Sequence, residues 1–277
     1  MNPPGETSIV GDMNSRFAAA LLAMTCALQC QTNSPPAPAA SEQQRVLSDA
    51  AEYAINHEAN LPNFECTQTT RRFEDLNNSG WRPIDLIVER LTYFDHREVY
   101  KVMTLNGQPA SIAHDQLRGA SSSGEFGSVM RSIFLPQTET EFAWQDWFTL
   151  RGKRMHVYGY RVHAFKSSYR VEVPEKSLDL VTGYHGLIFI DSEHHRVHHI
   201  TLHADEIPLS FPIQDISLTL DYDYTQIGDA DFLLPLRFEL RSREGIQLIR
   251  NYVEYDNYRK FNVVSVITYG SQDASKK

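Results

Sequence analysis

The sequence predicts an α+β protein: a long antiparallel β-meander that curls on itself, covered by an N-terminal helix and an inserted short helix. Three observations carry this. Turn signals recur roughly every 8–12 residues from residue 63 onward, as in an up-and-down meander. Segment 213–224 alternates, with Ile216, Leu218, Leu220, Tyr222 and Tyr224 on one side and Asp215, Ser217, Thr219, Asp221 and Asp223 on the other. That is the pattern of a half-buried antiparallel strand. Apolar residues at helical spacing occur in only two places.

The first is 41–58, where Val46, Leu47, Ala50, Ala51, Ala54 and Ile55 share one helical face and Ser41 and Gln44 have capping-box spacing. Strands are expected over 63–75, 83–94 and 96–105, with Asn106-Gly107 as a turn. Then comes the second: after the loop at 119–124, Phe126, Val129, Met130, Ile133 and Phe134 repeat at i, i+3, i+4, i+7 and i+8, before Pro136. Ser122 and Glu125 suggest another capping box over a helix at 121–134. Strands follow at 141–150, 153–162, 168–174, within 183–205, and at 213–224, 232–242, 246–256 and 259–269. Roughly ten or eleven strands result, and a sheet of that length curls rather than staying flat. Its concave face needs a cover, and the two helices are the candidates.

Residues 1–40 read as a leader. Arg16 precedes an apolar run from Phe17 to Leu28, too short to span a bilayer as a mature helix. Ala37-Pro38-Ala39 supplies small residues, so the segment resembles a secretory signal peptide with cleavage near Ala39 or Ala40, and Met13 is an alternative start. The mature chain is then secreted or periplasmic, with no transmembrane helix. A lipid-anchored form through Cys26 or Cys30 is the alternative, although neither has a small residue directly ahead of it. Residues 41–270 form one domain and 271–277 a polar tail. Only Cys66 remains after cleavage, so no intramolecular disulfide supports the fold. A net charge of −9 with no basic tract argues against nucleic acid and against anionic lipid headgroups as partners.

Several phrases resemble a known family: LPNFECTQTTRR (61–72), GEFGSVMRSIF (124–134), GLIFID (186–191), LHADEIPLSFPI (202–213) and NYRKF (257–261). Together with the leader, the N-terminal helix, the meander and the inserted helix, they resemble the LolA-like family of outer-membrane lipoprotein-sorting-like proteins, in an uncharacterised acidobacterial-type branch. The resemblance implies a half-barrel closed by helices around an apolar cavity, holding a lipid or acyl chain without covalent chemistry. The RseB-type sensors of the same group imply an alternative, a protein partner in the envelope. Ligand-contacting residues of the best-known carrier do not match positions here.

The candidate cavity residues are Phe126, Val129, Met130, Ile133 and Phe134 of the inserted helix, with Trp144, Phe148, Tyr158 and Tyr160 of the aromatic cluster. Such stripes are more often plain core, but a helix covering a curled sheet also forms the wall of any cavity. Strand parity places Phe142, Trp144, Phe148 and Leu150 on one face and Trp147 on the other. The hairpin at 183–205 holds His194, His195, His198 and His199. On one strand His199 and His203 stand about 13 Å apart. A metal holds imidazole nitrogens at about 2.1 Å, so that pair does not share one ion. A solvated hairpin end rich in histidine is the plainer reading, and a pH-responsive patch another. No catalytic motif is present: no G-x-S-x-G, no H-E-x-x-H and no phosphate-binding loop. No cofactor, metal or catalytic residue is expected; a metal-dependent enzyme at the His-rich hairpin, with His199 and a cross-strand partner sharing an ion, is the third alternative, ranked last. Asp221 and Asp223 read as solvated, and Cys66 as a small buried hydrophobe.

Overall fold

A computed structural model describes residues 35–117, 119–120 and 124–261. The leader up to residue 34, the expected strand end at 262–269 and the tail at 271–277 lie outside the described residues, as does Ser122 with its expected capping box.

Among the described residues thirteen strands follow the first helix. They are β1 (Phe64–Leu76), β2 (Arg82–Phe94), β3 (Arg97–Leu105), β4 (Gln108–Pro109), β5 (Glu141–Leu150), β6 (Lys153–Val162), β7 (Arg170–Val173), β8 (Leu178–Val181), β9 (Gly183–Asp191), β10 (Val197–Asp205), β11 (Ile213–Ile227), β12 (Ala230–Glu244) and β13 (Gln247–Lys260). Eleven form one open antiparallel sheet in the order β4-β3-β2-β1-β13-β12-β11-β10-β9-β6-β5, while β7 and β8 pair as a separate hairpin. The expected curled antiparallel sheet is present, with a half-barrel left open between β4 and β5.

The order is not a plain meander. β1 pairs with β13 along its whole length, from Phe64 opposite Lys260 to Leu76 opposite Gln247. The two free edges, β4 and β5, are therefore consecutive in the chain. The segment joining them carries α2 (Ser128–Phe134), which is how a short helix comes to lie over the sheet. The other cover is α1 (Ala40–Asn56).

Alternation sets the two faces of the sheet. Ile216, Leu218, Leu220 and Tyr222 of β11 are buried, as read from the sequence, but Tyr224 is exposed near the strand's far end. Val46, Ala50 and Ala54 of α1 and Val129, Met130, Ile133 and Phe134 of α2 pack into the same core as the sheet's inner side chains. Each large apolar side chain so buried contributes about 1.5–3 kcal/mol. A seven-residue helix gains too little from its own hydrogen bonds to form alone, so this burial holds α2 in place.

Two local expectations fail for geometric reasons. α1 starts at Ala40, so Ser41 sits inside the first turn and cannot cap it; the amides of Glu42 and Gln43 donate instead to the Ala39 carbonyl. In β5 a bulge between Trp144 and Asp146 inserts one residue, and every side chain after it changes face. Trp144 pairs with Tyr158 and Trp147 with His156, so the two indoles share a face with ring centroids 5.8 Å apart. Phe148 is turned to the other side.

Candidate functional site

The inner face of the half-barrel is an aromatic wall. Phe64, Tyr93, Tyr158, Tyr160, Tyr184, Tyr222 and Tyr255 are all buried on it. Two of the tyrosine hydroxyls find close backbone partners: Tyr160 donates to the Thr201 carbonyl at 2.8 Å and Tyr222 to the Glu125 carbonyl at 2.8 Å. Burial pushes the Tyr160, Tyr222 and Tyr255 phenols well above their usual range, so they act as neutral donors.

Against this wall lie the residues singled out in the sequence. Val129, Met130, Ile133 and Phe134 are buried side chains of α2. Phe126 is equally buried but precedes the helix, because Gly127 has a φ of 145° that a helix cannot accommodate. Its ring lies 5.5 Å from that of Phe64, 6.2 Å from Tyr93 and 5.3 Å from Tyr255. Tyr158 and Tyr160 are buried in the same core, and Trp144 is partly buried against it. Phe148 stands apart: it is 49% exposed and makes an edge contact with Phe189 on the outer face. The structure thus brings eight of the nine together.

Gly127 also sets how α2 meets the end of α1. A Cβ there would lie 2.6 Å from Glu58 Cγ and 3.0 Å from His57 Cδ2. Polar ties between α2 and the sheet are few; Tyr184 donates to Ser132 Oγ at 3.3 Å.

One part of the inner face is polar, which the reading of the sequence missed. Gln68 Nε2 donates to Glu89 Oε2 at 3.2 Å, and Glu89 Oε1 lies 2.7 Å from His114 Nδ1. The His114 ring stacks on Tyr100 at 4.4 Å. Asn251 Nδ2 donates to the Ala120 carbonyl at 2.5 Å. These contacts pin the segment between β4 and α2 onto β1, β2 and β13. The signal was present in the sequence: Glu89 occupies the same parity as Ile87, Leu91 and Tyr93, a position where a strand with one buried face would carry an apolar residue.

The histidines of the β9–β10 turn are not a solvated end. His194 is exposed, but His195 and His198 are buried. A bulge between Val197 and His199 lets both Val197 and His198 be buried, against the strict alternation expected. His195 Nδ1 lies 2.7 Å from Asp49 Oδ2 of α1, and the Arg196 guanidinium sits 4.3 Å above the Tyr53 ring. The hairpin tip is therefore a clamp on α1. Asp191 organises the turn, accepting the amides of Glu193, His194 and Arg196. Burial alone would raise its pKa, but these amides outweigh it and hold the carboxyl below its usual range. His199 Nδ1 is 2.8 Å from Asp221 Oδ1, and Asp221 also meets Arg151. Asp223 pairs with Arg151 and Lys153, so neither aspartate is simply solvated. Among the described residues no three His, Cys, Asp or Glu side chains are grouped as a metal site.

Two hollows among the described residues open to solvent. One of about 600 Å³ lies between α1 and the β9–β10 turn, lined by Arg45, Asp49, Glu52, Tyr53, Glu193 and Arg196 among others; its walls are charged. A smaller one of about 240 Å³ borders Cys66, Glu89 and Met103. Burial pushes the Cys66 thiol far up, away from a reactive thiolate.

No protein-family model and no curated protein matches this chain. Among solved structures, it is similar to a LolA superfamily protein from Nitrosomonas europaea, with 10% identity over 80% of this chain and 94% of that one, and a TM-score of 0.36. An outer membrane lipoprotein-sorting domain, so assigned, from Vibrio parahaemolyticus is similar at 11% identity over 77% of this chain and 92% of that one, with a TM-score of 0.40. A DUF1329 family protein from Desulfovibrio piger is similar at 10% identity over 79% and 95%, with a TM-score of 0.39. Within the half-barrel the site of interest is the inner face that α2 covers. No helix among the described residues is long and apolar enough to cross a membrane.

Proposed function

We propose that this protein is a secreted, non-catalytic carrier that holds a lipid, a lipoprotein acyl chain or another apolar ligand against the inner face of its half-barrel. The observation that carries this is α2. Its seven residues place four apolar side chains against an aromatic wall, in the space an acyl chain would take. Burial rather than polar bonding holds it there, and a ligand offers burial in exchange, at about 0.8 kcal/mol per methylene. Met130 supplies an adaptable surface suited to flexible chains. The leader at 1–40 supports a periplasmic or otherwise secreted location. The neutral phenols of the inner face and the inert Cys66 favour holding over chemistry.

Organic extraction of gently purified protein, followed by mass spectrometry, should recover a lipid. Delipidated protein should bind N-phenylnaphthylamine and release it to a long-chain fatty acid. Absence of both recovered lipid and dye binding would sink the reading. An empty protein that captured an envelope protein would favour the sensor alternative.

A further inference from the structure

The strand directions divide the half-barrel into two ends, and its exposed apolar side chains are unevenly shared between them. At one end lie the β1–β2 turn, the β6–β9 connection with its β7–β8 hairpin, the β10–β11 loop and the β12–β13 turn. The three most exposed large apolar side chains among the described residues all stand there: Leu209 at 93%, Phe165 at 80% and Ile246 at 71%. Trp81, Ile84 and Leu178 are also exposed at that end. The opposite end has Val99 as its most exposed, at 59%.

Two contacts tie parts of this rim together. Lys176 Nζ reaches Glu244 Oε1 at 2.6 Å, which brings the β7–β8 hairpin beside the end of β12 and so Leu178 towards Ile246. The Arg250 guanidinium lies 4.7 Å from the Phe73 ring and 4.8 Å from Trp81, which fixes the β1–β2 turn to β13.

We propose that this rim inserts into a neutral lipid surface, anchoring the protein to a bilayer by its loop tips. The side chains protrude singly from four separate connections rather than forming a groove or a flat face. A deformable apolar phase receives such tips; a rigid protein surface would need a matching hole for each. Charge selects the kind of lipid. Four basic side chains at this end are paired within the chain: Lys176 with Glu244, Arg170 with Asp179, Lys166 with Glu139 and Arg161 with Asp205; Arg82 and Arg243 stand exposed on separate strands. With a net charge of −9, two separate arginines fall short of the cluster of basic residues that anionic headgroups require. Zwitterionic lipid is therefore the expected surface, with attachment scaling with the apolar area buried. This inference concerns attachment and stands apart from the proposed cargo.

The test is flotation of the full chain with phosphatidylcholine vesicles in low and high salt. The wild type should float with the vesicles in both. The triple variant Phe165→Asp, Leu209→Asp, Ile246→Asp should lose on the order of tenfold or more in partitioning, while Val99→Asp at the other end should not. All three tips are exposed, and an unchanged melting temperature confirms an intact fold. Dye binding by the delipidated triple variant separates the two proposals: retained dye binding with lost flotation is the expected pair. A wild type that stays off the vesicles, a triple variant that floats as well as wild type, or flotation that needs anionic lipid and vanishes in salt would each overturn the inference.

Discussion

The Tyr222 hydroxyl of β11 donates to the Glu125 carbonyl at 2.8 Å, fastening the start of the α2 segment to the floor of the half-barrel. Both partners are buried, so Tyr222→Phe removes this hydrogen bond from the core, at a cost of about 0.5–1.5 kcal/mol. Part of that cost falls on the docked position of α2. The variant should unfold at lower urea concentration and take up N-phenylnaphthylamine faster than wild type. Stopped-flow fluorescence measures the second effect; an unchanged rate would show that α2 does not gate the inner face.

Acid should weaken the fold through histidines buried in neutral form. Burial lowers His57 to about 4 and also lowers His156 and His198. In the unfolded chain each returns to about 6.5. The unfolded state therefore binds more protons below pH 6.5, so their contribution is intact above that pH and is lost as pH falls towards the folded values. For His57 alone the loss reaches about 2 kcal/mol by pH 5. Urea melts of wild type and His57→Gln at pH 7 and pH 5 check this: the variant should lose less stability between the two. Equal losses would clear His57 of the role.

What the sequence made legible was local. The alternation of Ile216 to Tyr222, the turn at Asn106-Gly107 and the stripe from Val129 to Phe134 each report a period, and a period survives folding. Bulges do not announce themselves in a period: one inserted residue after Trp144 reverses Phe148 and Trp147, and another beside His198 buries a histidine that alternation alone would not place next to a buried Val197. The pairing of Phe64 with Lys260 joins residues almost two hundred apart, and no local pattern encodes it. The clamp of His195 on Asp49 was hidden for the same reason. Glu89 was visible as a charged residue at an apolar parity, but its partner His114 arrives from the segment that closes the barrel.

Gly186 marks where β9 and β10 approach too closely for any side chain. A Cβ at this position would lie 1.8 Å from the Thr201 carbonyl oxygen, the same oxygen that accepts the Tyr160 hydroxyl. Gly186→Ala must push two paired strands apart in the middle of the sheet. A loss of about 4 kcal/mol or more is expected, at the severe end of single substitutions. Soluble yield and the near-ultraviolet circular dichroism of the tyrosine-rich core report it. A well-folded Gly186→Ala protein of wild-type stability would show that the two strands separate at little cost.

The start of α1 depends on residues just ahead of it. The Ala39 carbonyl accepts the amides of Glu42 and Gln43, the Pro38 carbonyl accepts Gln43 Nε2 at 2.8 Å, and the Pro36 carbonyl accepts the Trp147 indole at 3.0 Å. A chain beginning at Ser41 forfeits all four bonds. It also places a positive α-amino group at the helix N-terminus, where the helix dipole disfavours it. A chain beginning at Pro35 keeps the bonds and moves the charge away. Expressed side by side, the 41–277 form should be less stable than the 35–277 form by about 1–2 kcal/mol. The gap should narrow above pH 8, where the amino group discharges. Intact-mass measurement of the protein purified from cells expressing the full sequence then tells which start is used. Equal urea midpoints for the two forms would mean that α1 is held by its apolar face and by the His195–Asp49 clamp alone.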